Sequence, residues 1–316
     1  MHEYIFGVDI GGTTVKLGLF SVQGVLLEKW DIPTRTQDNG SHILPDVSQA
    51  ILDWLDGHKI DYSQVAGIGI GVPGPVDSKG MVRRCVNLGW GLCDLKAQMN
   101  ALLPQIPNIA VGNDANVAAL GEMRQGSGQG YTHAVMFTLG TGVGGGVVLD
   151  GRIIAGTNGA GGEVGHLTVA PEETVPCSCG KCGCLEQYAS ATGIVRLAKT
   201  MLSQCTTPSA LRNMDEFSAK TICDLAREGD EMACAILNRS ASYLALAMSQ
   251  VACTVDPQVI IVGGGMSRAG DVLLDAVRKH YVRYAFHANA NTPIVMAQLG
   301  NDAGIYGCAG LIAQPK

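Results

Sequence analysis

Four cysteines, at 177, 179, 182 and 184, crowd eight consecutive positions, with His166 a short way upstream. Zinc prefers four tetrahedral sulfur and nitrogen ligands, commonly three cysteines and one histidine. Two cysteines one residue apart, followed by a glycine turn that returns a third, can wrap a single ion, so this spacing points to a metal site. His166 with Cys177, Cys179 and Cys184 makes one ligand set; the four cysteines alone make its competitor. The bland reading, buried free thiols, would pack four reactive groups together without purpose. Glu163 and Glu186 each lie within three residues of a presumed ligand. An ion would therefore fix both carboxylates, which are good acceptors for vicinal sugar hydroxyls. With protein filling every position, no place remains for a water nucleophile, so the metal is read as structural.

A second constellation is VGNDANVAALGE at 111–122. Asn113 is a good N-cap for a helix over 115–123. Asp114 then sits in the first turn, where the helix dipole favours its ionised form. A carboxylate there can take the proton of a hydroxyl whose oxygen attacks phosphorus, and Asn113 can bond neighbouring hydroxyls. The competing reading is that Asp114 only caps the helix.

A third group is made of glycine turns. Strand-like Tyr4 to Ile10 meets Gly11-Gly12-Thr13, and the alternating stretch from Thr14 to Phe20 returns. The plan repeats with Ala134 to Leu139, the turn Gly140-Thr141-Gly142, and the return from Gly145 to Leu149. Each turn is rich in backbone N–H groups, and glycine lets a phosphate oxygen come close. Asp9 precedes the first turn, and interleaved threonines strengthen the phosphate reading over two ordinary hairpins. Gly263-Gly264-Gly265, at the end of the buried run Val259 to Val262, is a weaker third signal. The Walker pattern GxxxxGK[ST] is absent. The chain after Gly12 continues as a strand rather than a helix, which argues against a dinucleotide fingerprint.

Strands and helices must hold these groups. The first turn sits in a β-meander closed by Gln23-Gly24, and Asp150-Gly151 is a strong hairpin signal after the second. Between them the pattern predicts a helix over 41–56, a strand over 65–71, the loop Val72 to Asp77 and a short strand over 108–111. Beyond residue 185 helices dominate, at 192–202, 232–253, 271–285 and 302–313. The echo between the two glycine hairpins suggests two lobes of related construction.

The 316 residues suit two α/β lobes, and 47% hydrophobic against 16% charged residues allows a large core. Twenty-two lysines and arginines against 28 acidic residues give a net charge of −6, and no dense basic patch marks a nucleic-acid partner. The N-terminal residues lack signal-peptide features, and no apolar run is long enough to cross a bilayer. A soluble, cytoplasmic protein with reduced thiols is expected. The seven scattered cysteines then read as small buried hydrophobes.

Taken together these residues resemble the ROK family (repressors, open reading frames and sugar kinases), within the actin-like ATPases and hexokinases. The resemblance rests on DIGGT at 9–13, GVPGPVD at 71–77, NDANVAALGE at 113–122, GTGVGGG at 140–146, EVGH at 163–166, CSCGKCGCLE at 177–186 and GGGMS at 263–267. It covers nearly the whole chain. CLEQYASATGIVR at 184–196 is particularly similar to the family's bacterial glucokinases.

The resemblance implies a two-lobed, ribonuclease H-like α/β fold with a structural zinc site. One lobe would take residues 1–112 and the closing helix 301–316, the other residues 113–300. It implies Asp114 as catalytic base and Asn113, Glu163, His166 and Glu186 as sugar contacts, with Gly74 and Asn87 in loops lining the sugar side. Asp9, Gly11, Gly12, Thr13, Lys16, Thr141, Gly142, Gly264 and Gly265 would bind ATP. Zinc would sit on His166, Cys177, Cys179 and Cys184, which selects between the two ligand sets, and Mg²⁺ would arrive with ATP. A homodimer or homotetramer that phosphorylates a hexose at its 6-hydroxyl, most often glucose, is the expected protein. Kinases for N-acetylmannosamine, N-acetylglucosamine or another hexose are the alternatives, as is polyphosphate in place of ATP. A sugar-sensing repressor is disfavoured, because only eight residues precede Asp9 and a helix-turn-helix would need more.

Overall fold

The computed structural model describes residues 2–77 and 79–313. Its main elements run in chain order as follows. First come β1 (Tyr4–Ile10), β2 (Thr14–Ser21), β3 (Leu26–Pro33), α1 (Ile43–His58), β4 (Val65–Val72), α2 (Leu95–Leu102), β5 (Ile109–Asn113) and α3 (Asp114–Gln125). Then come β6 (Ala134–Leu139), β7 (Val143–Leu149), α4 (Ala191–Gln204), α5 (Ala219–Arg227) and α6 (Glu231–Val255). The chain closes with β8 (Val259–Gly263), α7 (Asp271–Tyr284), β9 (Ile294–Met296) and α8 (Ala303–Ile312).

Two compact units result: residues 1–132 with 146–162 and 299–316, and residues 133–145 with 163–298. The first holds a five-stranded sheet in the order β3-β2-β1-β4-β5. β1 is antiparallel to β2 and parallel to β4, and β4 is parallel to β5. The carboxyl ends of β1, β4 and β5 therefore share one edge, with Asp9 opposite Gly71 and Val72 opposite Asn113. Ligands of such sheets gather at that edge. In the second unit β8 runs parallel between β6 and β9, and the 25-residue α6 buries a long row of its residues.

The division differs from a boundary at residue 112. Helix α3 stays with the first unit because the small residues of α8 let the two helices touch. A Cβ at Gly121 would strike the Ala303 carbonyl, and one at Gly307 would strike the Val117 carbonyl. α8 also lies directly on the sheet: a Cβ at Gly7 would run into the Ile305 carbonyl, and one at Gly69 into the Cys308 carbonyl. These glycines are cross-strand partners in β1 and β4. Backbone cannot yield as a flexible side chain does, so Gly69→Ala should lower unfolding free energy by about 1–3 kcal/mol. Gly57→Ala, in helix α1 with nothing within 4 Å, should instead raise it by about 0.5–1 kcal/mol. Denaturant midpoints of the two variants check both signs.

Asp150 and Gly151 both take positive φ, at 50° and 71°, as the predicted hairpin requires. Among the described residues no helix is long and apolar enough to cross a membrane.

Candidate active site

In the first unit the edge formed by β1, β4 and β5 gathers most of the residues predicted there. Asn113 caps α3: its side-chain carbonyl accepts the Asn116 N–H at 3.0 Å. Its amide donates to the Gly74 carbonyl at 3.1 Å and to Asp114 Oδ1 at 2.9 Å. Asn113 is only 9% exposed, and its polar atoms are committed to protein. Both amide N–H groups are used, so a sugar could bond Asn113 only by donating to its carbonyl oxygen; its observed work is to hold Asp114 and the Gly74 loop. Gly74 has φ 93°, and a Cβ there would strike the Arg84 carbonyl. Only glycine suits that position.

Asp114 begins α3, and Oδ1 also accepts the Ala115 N–H at 2.8 Å. Burial raises its pKa, partly offset by the bonds from Ala115 and Asn113. Asp9 stands close enough to feel its charge. Burial first, then Asp114, push Asp9 up to about 6, while Lys16 acts in the opposite direction. The Lys16 ammonium donates to the Asn301 carbonyl at 2.6 Å.

The sign for stability follows. An acid whose pKa rises on folding is stabilising when protonated, so its contribution is complete below the unfolded value and is lost as pH climbs through the folded one. Asp9 thus costs stability at neutral pH, by at most about 3 kcal/mol for a shift of about two units. Asp9→Asn should be more stable than wild type at pH 7.5, with about half the gain at pH 5 and little below pH 4. Chemical denaturation across that range measures it.

Gly11, Gly12 and Thr13 turn β1 into β2, with the Gly11 N–H on the Thr14 carbonyl at 3.0 Å. A Cβ at Gly11 would crowd that carbonyl at 2.9 Å, whereas at Gly12 the nearest atom is Asn87 Cβ, at 3.9 Å. Gly12, Thr13 and Asn87 are exposed. The open backbone of the turn is therefore at Gly12.

The second unit carries the metal-ligating group. His166, Cys177, Cys179 and Cys184 offer ligand atoms that all lie within 4.8 Å of one another. Cys179 and Cys184 sulfurs are 3.6 Å apart, and Cys177 Sγ is 3.9 Å from His166 Nδ1. A tetrahedron with about 2.3 Å metal–sulfur bonds has edges of roughly 3.7 Å, so the donor set fits a zinc ion. Cys182 stands apart, its sulfur 3.6 Å from the Thr174 carbonyl. Burial, then the neighbouring thiols, push Cys184 up to about 12, so a metal entering here must displace protons.

Two carboxylates flank this group. Glu163 Oε2 lies 3.9 Å from His166 Nε2, on the ring nitrogen turned away from Cys177. Glu186 Oε1 accepts from Ser178 Oγ at 3.1 Å, and Oε2 accepts the Val143 N–H at 3.0 Å. Behind the loop, Glu173 is held near pKa 2 by the Tyr188 hydroxyl, the Val175 N–H and Arg196, which fastens the loop to α4.

The glycine turn at 140–142 closes through the Gly140 N–H on the Gly142 carbonyl. A Cβ at Gly142 would strike the Glu186 carboxylate, so packing rather than ligand approach already demands this glycine. Gly264 is similar: its φ is 83° and a Cβ would meet the Leu139 backbone. Gly265 has open space and Thr141 is exposed, so these two positions leave the backbone accessible.

Sequence reasoning missed two supports. Thr192 Oγ1 donates to the Thr141 carbonyl at 2.8 Å and the Ala191 N–H to the Gly140 carbonyl at 2.8 Å, tying the turn to the start of α4. Asn116 donates to the Gly161 carbonyl at 3.1 Å, two residues before Glu163. The NDAN spacing is the only sequence signal for the latter.

The ROK family model matches residues 5–315. A glucokinase of Halalkalibacterium halodurans is 41% identical over 99% of this chain and 96% of its own length. A glucokinase of Thermotoga maritima is 35% identical over 98% and 97%. Among solved structures, a ROK family glucokinase from Streptomyces griseus in complex with glucose and AMPPNP is 33% identical, with a TM-score of 0.75 over 98% of both chains.

Proposed function

The chain belongs to the ROK family, and we propose that it is a sugar kinase that moves the γ-phosphoryl group of ATP to the 6-hydroxyl of a hexose, with glucose the preferred acceptor. The observation that carries this reading is Asp114, fixed in the first turn of α3 beside Asp9 at the carboxyl edge of a sheet. The full-length similarity to glucokinases supports the choice of sugar.

Asp114 accepts the 6-hydroxyl proton as that oxygen bonds to phosphorus and ADP leaves from the opposite side. Asn113 and the Gly74 loop orient the carboxylate. Glu163, His166 and Glu186 accept and donate to the remaining hydroxyls, with Asn87 at the rim. Gly11, Gly12, Thr13 and Lys16, with Thr141, Gly142, Gly264 and Gly265, serve the nucleotide, the open amides at Gly12 and Gly265 foremost. Mg²⁺ bound to ATP neutralises phosphate charge when present, and Asp9 is the carboxylate nearest that turn. Zinc on His166, Cys177, Cys179 and Cys184 supplies rigidity, holding Glu186 and the His166 ring in place. In the cytoplasm, the protein works as a homodimer or homotetramer.

Coupled ADP-release assays across glucose, mannose, fructose and the N-acetylhexosamines test the proposal. Glucose should give the highest kcat/KM with ATP as donor. A higher value for an N-acetylhexosamine overturns the assignment of acceptor, and no ADP release with any of these sugars overturns that of donor.

A further inference from the structure

A separate cavity of about 360 Å³ opens in the first unit, and none of the residues proposed for sugar, nucleotide or metal lines it. Its walls come from the β2–β3 turn, the end of α3 with the loop after it, and the last turns of α8. Val22, Met123, Tyr306 and Ala309 give it apolar lining, and Gln129 and Arg124 line it as polar residues.

Arg124 is the feature that asks for a ligand. One of its N–H groups donates to the Ala313 carbonyl at 3.1 Å, at the C-terminal end of α8. No carboxylate neutralises it among the described residues. A guanidinium carries five N–H donors in a planar fork suited to carboxylate and phosphate oxygens. Half-buried and without a carboxylate partner, it keeps N–H donors that an anion could meet. Burial alone draws its pKa below the ordinary arginine value.

We propose that this cavity is a second small-molecule site, taking a compact organic anion whose carboxylate or phosphate group pairs with Arg124 and whose body lies on the apolar wall. The volume falls within the range of ordinary ligand pockets, and a few polar groups among apolar ones are the usual lining. Its place gives it a route to the chemistry. Arg124 ends the helix that Asp114 begins, about 15 Å away along a rigid element. α8 likewise runs from Gly304, packed on the Asp9 carboxylate, to Ala309 and Gly310 at the cavity. An occupant would touch the far ends of both helices.

Phenylphosphonate is a suitable probe, titrated calorimetrically into the full-length, zinc-loaded protein. Glucose and a non-hydrolysable ATP analogue are added beforehand to fill the sites proposed above. Saturable binding of one equivalent is expected, weakened at least tenfold in Arg124→Gln and in Gln129→Trp, and less in Arg124→Lys. Gln129 is exposed on the rim, so its tryptophan variant folds and blocks the cavity even if Arg124→Gln does not fold. No saturable binding, or binding unchanged in Gln129→Trp and Arg124→Lys, overturns the proposal.

Discussion

Asp114→Asn should lower kcat by roughly two to four orders of magnitude, the range lost with a general base. Its KM for glucose should change little. The substitution keeps the size of the side chain and its place in the first turn of α3. The bonds from Asn113 and Ala115 to Oδ1 persist if the new amide presents its carbonyl there. What disappears is the only carboxylate that Asn113 orients. Removing one of two neighbouring buried carboxylates also relieves Asp9, whose pKa should fall from about 6 toward its ordinary value. Steady-state kinetics give the first result and the pH dependence of unfolding the second. A variant that turns over near the wild-type rate would show that Asp114 only caps its helix.

The second large effect is expected from the metal centre. Cys184 is fully buried within the four-ligand group. Cys184→Ser should reduce bound zinc from one per chain to nearly none and raise the KM for glucose more than about tenfold, because lost coordination frees the loop that carries Glu186. Glu186 bonds across the site to the Val143 N–H and to Ser178, and Ser178 lies between two ligands. Loosening those ligands therefore moves the carboxylate. Cys182→Ser, outside the group, should change neither value. Metal analysis beside the sugar KM of both variants separates the outcomes. Unchanged sugar affinity in a zinc-free protein would break the proposed link between metal and pocket.

Much of this was legible in the chain. Local chemistry announced the turns: Asn113 caps its helix, Asp150-Gly151 makes its hairpin, and the chain turns back after β1 and β6. Strands β1, β4 and β8 and the long helix α6 declared themselves by apolar runs and periodicity. The metal group was legible because its cysteines are near in sequence, and His166 rather than Cys182 completes it in space.

Long-range packing was not legible. That α3 joins the first unit depends on Gly121 and Gly307 meeting backbone on another helix, which no periodicity reveals. The demand for glycine at 142 comes from Glu186, forty-four positions away, and at 264 from Leu139. The pairing of Asp9 with Asp114 follows from the register of three parallel strands. Strand β9 spans three residues, too short to show alternation. The cavity beside Arg124 is bounded by segments from both ends and the middle of the chain, so its walls leave no common mark in sequence.

The most direct test of the account is a crystal structure of the protein with glucose bound. An Asp114 carboxylate oxygen should lie about 2.6–3.2 Å from the sugar 6-hydroxyl, within reach of its proton. A glucose 6-hydroxyl bonded to some other acceptor, with Asp114 out of reach, would contradict it.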